Sequence, residues 1–184
     1  MKLKTKVNKT IYTFAYLRSV SKSCFEQANK DKEGRHLFLA ASIVFSAFTL
    51  EAFFNHIGDK TINNWSIKER KLSPFDKLSI LAKKHSIKID FGKRPYQSVK
   101  LIFQLRDALA HGKTTEITKE NYQHLNMDLT PILPLTNWEK LISLSKAEKY
   151  LADVKTVVEE FSHKGNIDSN LLYTPIKYNS LAMG

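Results

Sequence analysis

The chain has 184 residues, 29 lysines and arginines against 18 aspartates and glutamates, a formal charge of +11, and one cysteine. That length allows one domain whose core needs no disulfide, and the lone thiol excludes a disulfide scaffold and fits a reducing cytosol. The positive balance favours a polyanionic partner (RNA, DNA or an acidic protein) and does not bear on fold.

The opening MKLKTKVNKT is charged and no apolar run follows it, so it does not read as a secretory leader. A first helix is expected from about Asn8 to Asn29, with Ile11, Phe14, Ala15, Leu17 and Phe25 inward and Cys24 as a small buried side chain. The turn NKDKEGR, broken at Gly34, leads to a second helix from about Arg35 to His56, with Gly58 as its stop. This helix is apolar on almost every side, which marks the central, most buried element. Its uncharged run, Leu37 to Leu50, fits a buried core helix better than a membrane span and carries Ser42, Ser46 and Thr49, so a buried core helix is the expected role.

DKTINNWSIKER reads as a polar connection. SPFDKLSILAKKH reads as a third helix, capped by Ser73, with Pro74 in its first turn and Asp76 following. SIKIDFGKR is a loop, and RPYQSVKLIFQLRDALAH is a fourth helix, with Pro95 at its start and Gly112 just past its end. LTPILPL, residues 129–135, is held extended by Pro131 and Pro134. TNWEKLISLSKAEKYLADVKTVVEEFSHK supplies the last helix or pair of helices, and helical periodicity ends near Gly165. The expectation is an all-α, up-and-down bundle of four to five helices over residues 1–163, then an irregular C-terminal tail over 164–184, either unattached or docked on a partner subunit.

The chemistry concentrates in LRDALAHGK, Leu105 to Lys113. At about 100° per residue, Val99, Ile102, Phe103, Leu109 and Ala110 form one stripe of the fourth helix, and Arg106 falls in its middle. A guanidinium facing a core must be paired or line a cleft. On the second helix, Leu37, Ala40, Ala41, Val44 and Phe48 form the expected inner stripe, and Glu51 and Asn55 continue it. The simplest inference is that Glu51 meets Arg106, bidentately if the geometry allows. His111 lies about 140° around the wheel from Arg106, in the last turn before Gly112 releases the chain. Gln104, Asp107 and His111 share a flank, so Asp107 can hold the imidazole. A histidine at the negative end of a helix is placed to give and take protons near neutral pH.

ASIVFSAFTLEAFFN together with IFQLRDALAHGK resembles the HEPN superfamily of small helical bundles. Its signature is an Arg, four to six residues, then a His near the end of the penultimate core helix, often with a polar residue directly after the Arg. Arg106, Asp107 and His111 match that pattern, and Glu51 matches an acidic residue common in the second helix. The resemblance covers residues from about 8 to 163. It implies a metal-independent RNA endonuclease without cofactor, with Arg106 and His111 catalytic and Glu51, Asp107, Asn55 and Gln104 supporting. It also implies a homodimer through the face carrying Arg106 and His111, in a cytoplasmic toxin–antitoxin or phage-defence setting with an antitoxin or partner protein. In that chemistry the 2′-hydroxyl attacks the adjacent phosphate, which needs a base, an acid and positive charge on the phosphorane; DNA lacks the hydroxyl. One branch pairs with an antitoxin that modifies a tyrosine two residues after the His; here that position is Lys113, so that regulation is not supported.

Lys113, Lys100, Arg94 and Lys93 are candidate RNA contacts, and Tyr96 is a candidate for stacking a base. With Lys68 to Lys71, Lys83, Lys84 and Lys88 they could form a basic track; the alternative is a solvated helix face. His36, His56, His85, His124 and His163 show no metal-ligand spacing, GDKT lacks the first glycine of a phosphate loop, and no dinucleotide or G-x-S-x-G motif occurs. Two rivals stand beside the nuclease. One is a non-catalytic module that binds RNA or a protein, with Glu51–Arg106 a structural pair. The other is an adaptor whose tail, from Gly165, joins another chain.

Overall fold

In the computed structural model, residues 4–118 and 134–183 are described. The elements run β1 (Lys4–Ile11), α1 (Thr13–Lys30), α2 (Arg35–Thr61), a single turn α3 (Trp65–Lys68), α4 (Pro74–Lys84), α5 (Tyr96–Ala110), α6 (Leu144–Lys164) and β2 (Ile176–Met183). Short 3-10 turns occupy Glu69–Lys71, Glu139–Leu141 and Ser169–Tyr173. The molecule is mainly helical, with one two-stranded ribbon among the described residues.

α2 is the central element, packed by α1, α4, α5 and α6. By length and composition it could also cross a membrane, but half of its most apolar window is buried against the other helices. Its inner side is not the one its wheel suggests. Leu39, Ser42, Ile43, Ser46, Ala47, Leu50, Phe53, Phe54 and Ile57 are buried, whereas Leu37 and Phe48 are exposed and Ala40, Ala41 and Val44 half-buried. The reason is α1. Ser21 Oγ donates to the Ser42 carbonyl at 2.8 Å and lies 2.9 Å from Ser46 Oγ, so small polar side chains mark the line of closest approach between the two helices. A helix apolar all round has no moment strong enough to choose between its faces.

Gly58 does not end α2. It lies inside the helix, where a Cβ would stand 2.1 Å from Trp65 Cε2, so its missing side chain is a seat for the buried indole of α3. The connection expected to be polar therefore carries a core residue. α4 starts as expected: Ser73 Oγ accepts from the Asp76 amide at 3.1 Å, and Asp76 accepts from the Ser73 amide at 3.0 Å, a closed capping box. Cys24 is half-buried, and burial pushes its thiol up, away from thiolate reactivity.

The ends of the chain correct the expectation most. Residues 8–11 extend as β1 instead of opening α1, and 176–183 of the tail are not irregular. The two strands pair antiparallel from Ile11↔Ile176 to Lys4↔Met183. The described tail docks on the chain's own beginning; Tyr12 donates to the Pro175 carbonyl at 2.9 Å at the ribbon's root. At a two-residue period Val7, Lys9 and Ile11 share one side of β1, so the strand mixes apolar and charged residues there. Of the stretch 129–135, Pro131 lies outside the described residues, as does His124.

Candidate active site

α5 turns Arg106 toward α2 because Ile102, Phe103 and Leu105 hold that side of the helix in the core. Leu109 and Ala110, expected on the same stripe, are exposed: the helix has left the core by its last turn. Arg106 Nη2 lies 3.6 Å from Glu51 Oε2, so the α2–α5 charge pair forms, though as one long contact and not as a bidentate pair. The guanidinium carbon sits 5.4 Å from the Phe103 ring centroid, giving it an aromatic floor.

Two neighbours of this pair differ from expectation. Lys77 of α4 reaches Glu51 Oε1 at 3.3 Å, with its side chain only 5% exposed. Glu51 thus joins three helices by holding two cations. Lys77 shares the inward side of α4 with Leu78, Leu81 and Ala82, so a wheel of that helix carries the signal that finds it. Asp107 Oδ1 lies 3.1 Å from Arg106 Nε but out of line with its N–H, which has no hydrogen-bond partner among the described residues. Asp107 therefore leans on Arg106 and does not hold His111.

His111 caps α5, its amide donating to the Asp107 carbonyl at 2.9 Å, and its side chain is exposed. Gly112 follows where a Cβ would come within 2.8 Å of the Ala108 carbonyl oxygen, so the chain turns away there only without a side chain. Arg106, Glu51, Asp107 and His111 occupy one end of α5 and the face of α2 opposite it; Gln104 is exposed on the outer side of α5. Asn55 stands one turn beyond Glu51, and its Oδ1 is buried without a hydrogen-bond partner among the described residues.

Of the candidate RNA contacts, Lys93, Lys100 and Lys113 are exposed. Arg94 and Tyr96 are engaged within the fold. Arg94 Nε and Nη2 each donate at 2.8 Å to the Asp153 carboxylate on α6, which also accepts from Ser98. Tyr96 is 5% exposed and donates to Glu160 at 2.7 Å. Burial first, then that bond, pushes its phenol far up. A ring so enclosed cannot stack a base, so Tyr96 is a core residue that ties α5 to α6. Lys68, Arg70, Lys71, Lys83, Lys84 and Lys88 are described too, and they lie outside the core. Among the described residues no three His, Cys, Asp or Glu side chains converge as a metal site needs. Comparisons of the chain with models of known families, with curated proteins and with solved structures return no match.

Proposed function

We propose that this chain is a HEPN-like, metal-independent RNA endonuclease that acts as a homodimer in the cytoplasm, in a bacterial toxin–antitoxin or phage-defence setting. The observation that supports the reading is the 3.6 Å contact of Arg106 with Glu51, which holds a partly buried guanidinium near the end of α5, the helix that the exposed His111 caps. In this reading the 2′-oxygen attacks phosphorus, the 5′-oxygen leaves, and a 2′,3′-cyclic phosphate remains. His111 takes the 2′-hydroxyl proton, and His111 of the partner subunit returns one to the leaving oxygen. Arg106 meets the charge that builds on the phosphorane. Its contact with Glu51 is long enough to be exchanged for a phosphate oxygen, while Lys77 keeps the carboxylate compensated.

One protomer offers one such histidine, and a two-fold contact doubles the site. Exposed apolar side chains one turn from the charge pair, Phe48 before Glu51 on α2 and Leu109 after Arg106 on α5, support that contact. Lys93, Lys100 and Lys113 would carry the RNA backbone. A second reading, a non-catalytic module that binds RNA or protein, is favoured by Lys77: a carboxylate holding a buried lysine has a structural task of its own.

The test is cleavage of labelled tRNA and mRNA in EDTA by the purified chain and by His111→Ala of matched circular dichroism. The nuclease predicts products with 2′,3′-cyclic phosphate ends that disappear in the variant. Binding without cleavage moves the assignment to the module.

A further inference from the structure

The chain's positive charge is gathered where β1 and β2 meet. Residues 1–25 and 169–184 hold seven lysines and arginines and no aspartate or glutamate, out of a formal charge of +11. The pairing of β1 with β2 brings these two segments together. Paired positions share a face of the ribbon, so Lys9 and Tyr178 stand on the side of Val7 and Ile11. Thr10 and Lys177 stand on the other, the side of positions 4 and 6, both lysines. Lys9, Thr10, Lys177 and Tyr178 are exposed, and neither Lys9 nor Lys177 has an ion-pair partner among the described residues. Lys9 Nζ lies 5.9 Å from the centroid of the Tyr178 ring, which is 61% exposed. The arrangement recurs in the 3-10 turn that leads into β2. There the guanidinium carbon of Arg18, on α1, lies 4.6 Å from the ring centroid of Tyr173, which is 51% exposed. The cleft at the ribbon's root adds one carboxylate, Asp59, and with it Lys60.

The two parts of a nucleotide strand answer to this surface. Lysines without carboxylate partners attract a phosphate backbone and displace its counterions. An exposed ring with a cation beside it leaves aromatic surface on which a base stacks, whatever its identity. We infer that the ribbon and the turn before β2 form an arm that binds single-stranded RNA, with bases stacked on Tyr178 and Tyr173 and phosphates met by Lys9, Lys177 and Arg18. In a duplex the bases are stacked on one another, so an unpaired strand is the form that uses the rings. An acidic protein would satisfy the lysines alone. None of these residues belongs to the Arg106 cluster, so the arm holds RNA and takes no part in the chemistry. The choice of RNA rests on the RNA-cleaving reading; the binding of an unpaired strand does not.

The experiment is fluorescence anisotropy of a labelled, unstructured RNA of about 12 nucleotides with the full-length His111→Ala chain, from low to high salt. Tyr178→Ala should weaken binding about tenfold, while Tyr178→Phe keeps it, because the ring and not the hydroxyl carries the stack. Lys9→Gln with Lys177→Gln should flatten the slope of log K against log salt by about 1.4, two contacts at about 0.7 each. Lys83→Gln with Lys84→Gln removes as much charge from exposed positions of α4 and should leave the slope unchanged. All these side chains are exposed, so every variant should match the parent in circular dichroism. Three results overturn the arm: undiminished binding in Tyr178→Ala, an equal change of slope from the two lysine pairs, or polyglutamate of the same charge bound as tightly as RNA. The two readings fail separately. RNA cut by a chain whose ribbon variants bind it undiminished ends the arm and keeps the nuclease. A chain that cuts no RNA, yet holds it in a manner that Tyr178→Ala weakens, keeps the arm and ends the nuclease.

Discussion

Glu51 balances two cations of different burial, and the difference sets what each substitution costs. Lys77 is 5% exposed and Arg106 19%, so Glu51→Ala leaves an enclosed ammonium facing a guanidinium. A loss of about 3 kcal/mol is expected in urea unfolding. Arg106→Ala should cost less, because Lys77 still neutralises the carboxylate; the reverse order would make Arg106 the structural hub. Asp153 presents a similar asymmetry. Its carboxylate is buried while Arg94 is half-exposed, so Arg94→Ala should lower the melting temperature more than Asp153→Ala, which leaves a cation that water can reach. The histidines give a pH signature. Burial, with Lys60, holds the His56 imidazolium down, and burial does the same for His85, whose Nε2 lies 3.2 Å from Thr61 Oγ1. Both rings therefore stay below the ordinary value of 6.5 when folded. The unfolded chain binds their protons first as pH drops below about 6.5, so their contribution is whole above that pH and is lost on acidification. The melting temperature should fall from pH 7.5 to 5.5, and His56→Gln with His85→Gln should flatten that slope.

Among the elements, α2 and its seat for Trp65 give the sharpest forecast. Helix propensity alone makes Gly58→Ala stabilising in a helix interior. The 2.1 Å approach to the indole reverses the sign, and a loss of about 2 kcal/mol is expected. In a Trp65→Leu background the same change should become nearly neutral; an unchanged cost in calorimetry would remove the indole as its cause. Elements with a strong period are legible in the amino-acid pattern itself. α4 with its Ser73–Asp76 box and α5 between Pro95 and Gly112 stand where pattern and caps put them. α2 is legible as a helix but not as a face, because apolar side chains all round leave packing partners to choose which side is buried. β1 is not legible, because its apolar and charged residues do not separate onto two faces, and its partner strand is more than 160 residues away in sequence, at Ile176–Met183.

At the scale of the molecule, the helical body carries the core and the ribbon joins the two ends of the chain outside it. The apolar side chains left exposed near Arg106 belong to a second copy if the nuclease reading holds. Phe48→Glu should then convert a sedimenting dimer to a monomer of unchanged helicity and suppress RNA cleavage with it; a wild-type monomer that cleaves would refute the two-fold site. The amino-acid sequence by itself determined the helical character, the central place of α2, and the meeting of Glu51 with Arg106, because these follow from periodicity and from the cost of an inward charge. It could not determine that Lys77 shares Glu51, that Tyr96 is enclosed by α6, or that Asp107 turns to Arg106. Each of these depends on how separate side chains and helices lie against one another, and the sequence pattern of any one helix does not contain the position of its neighbour.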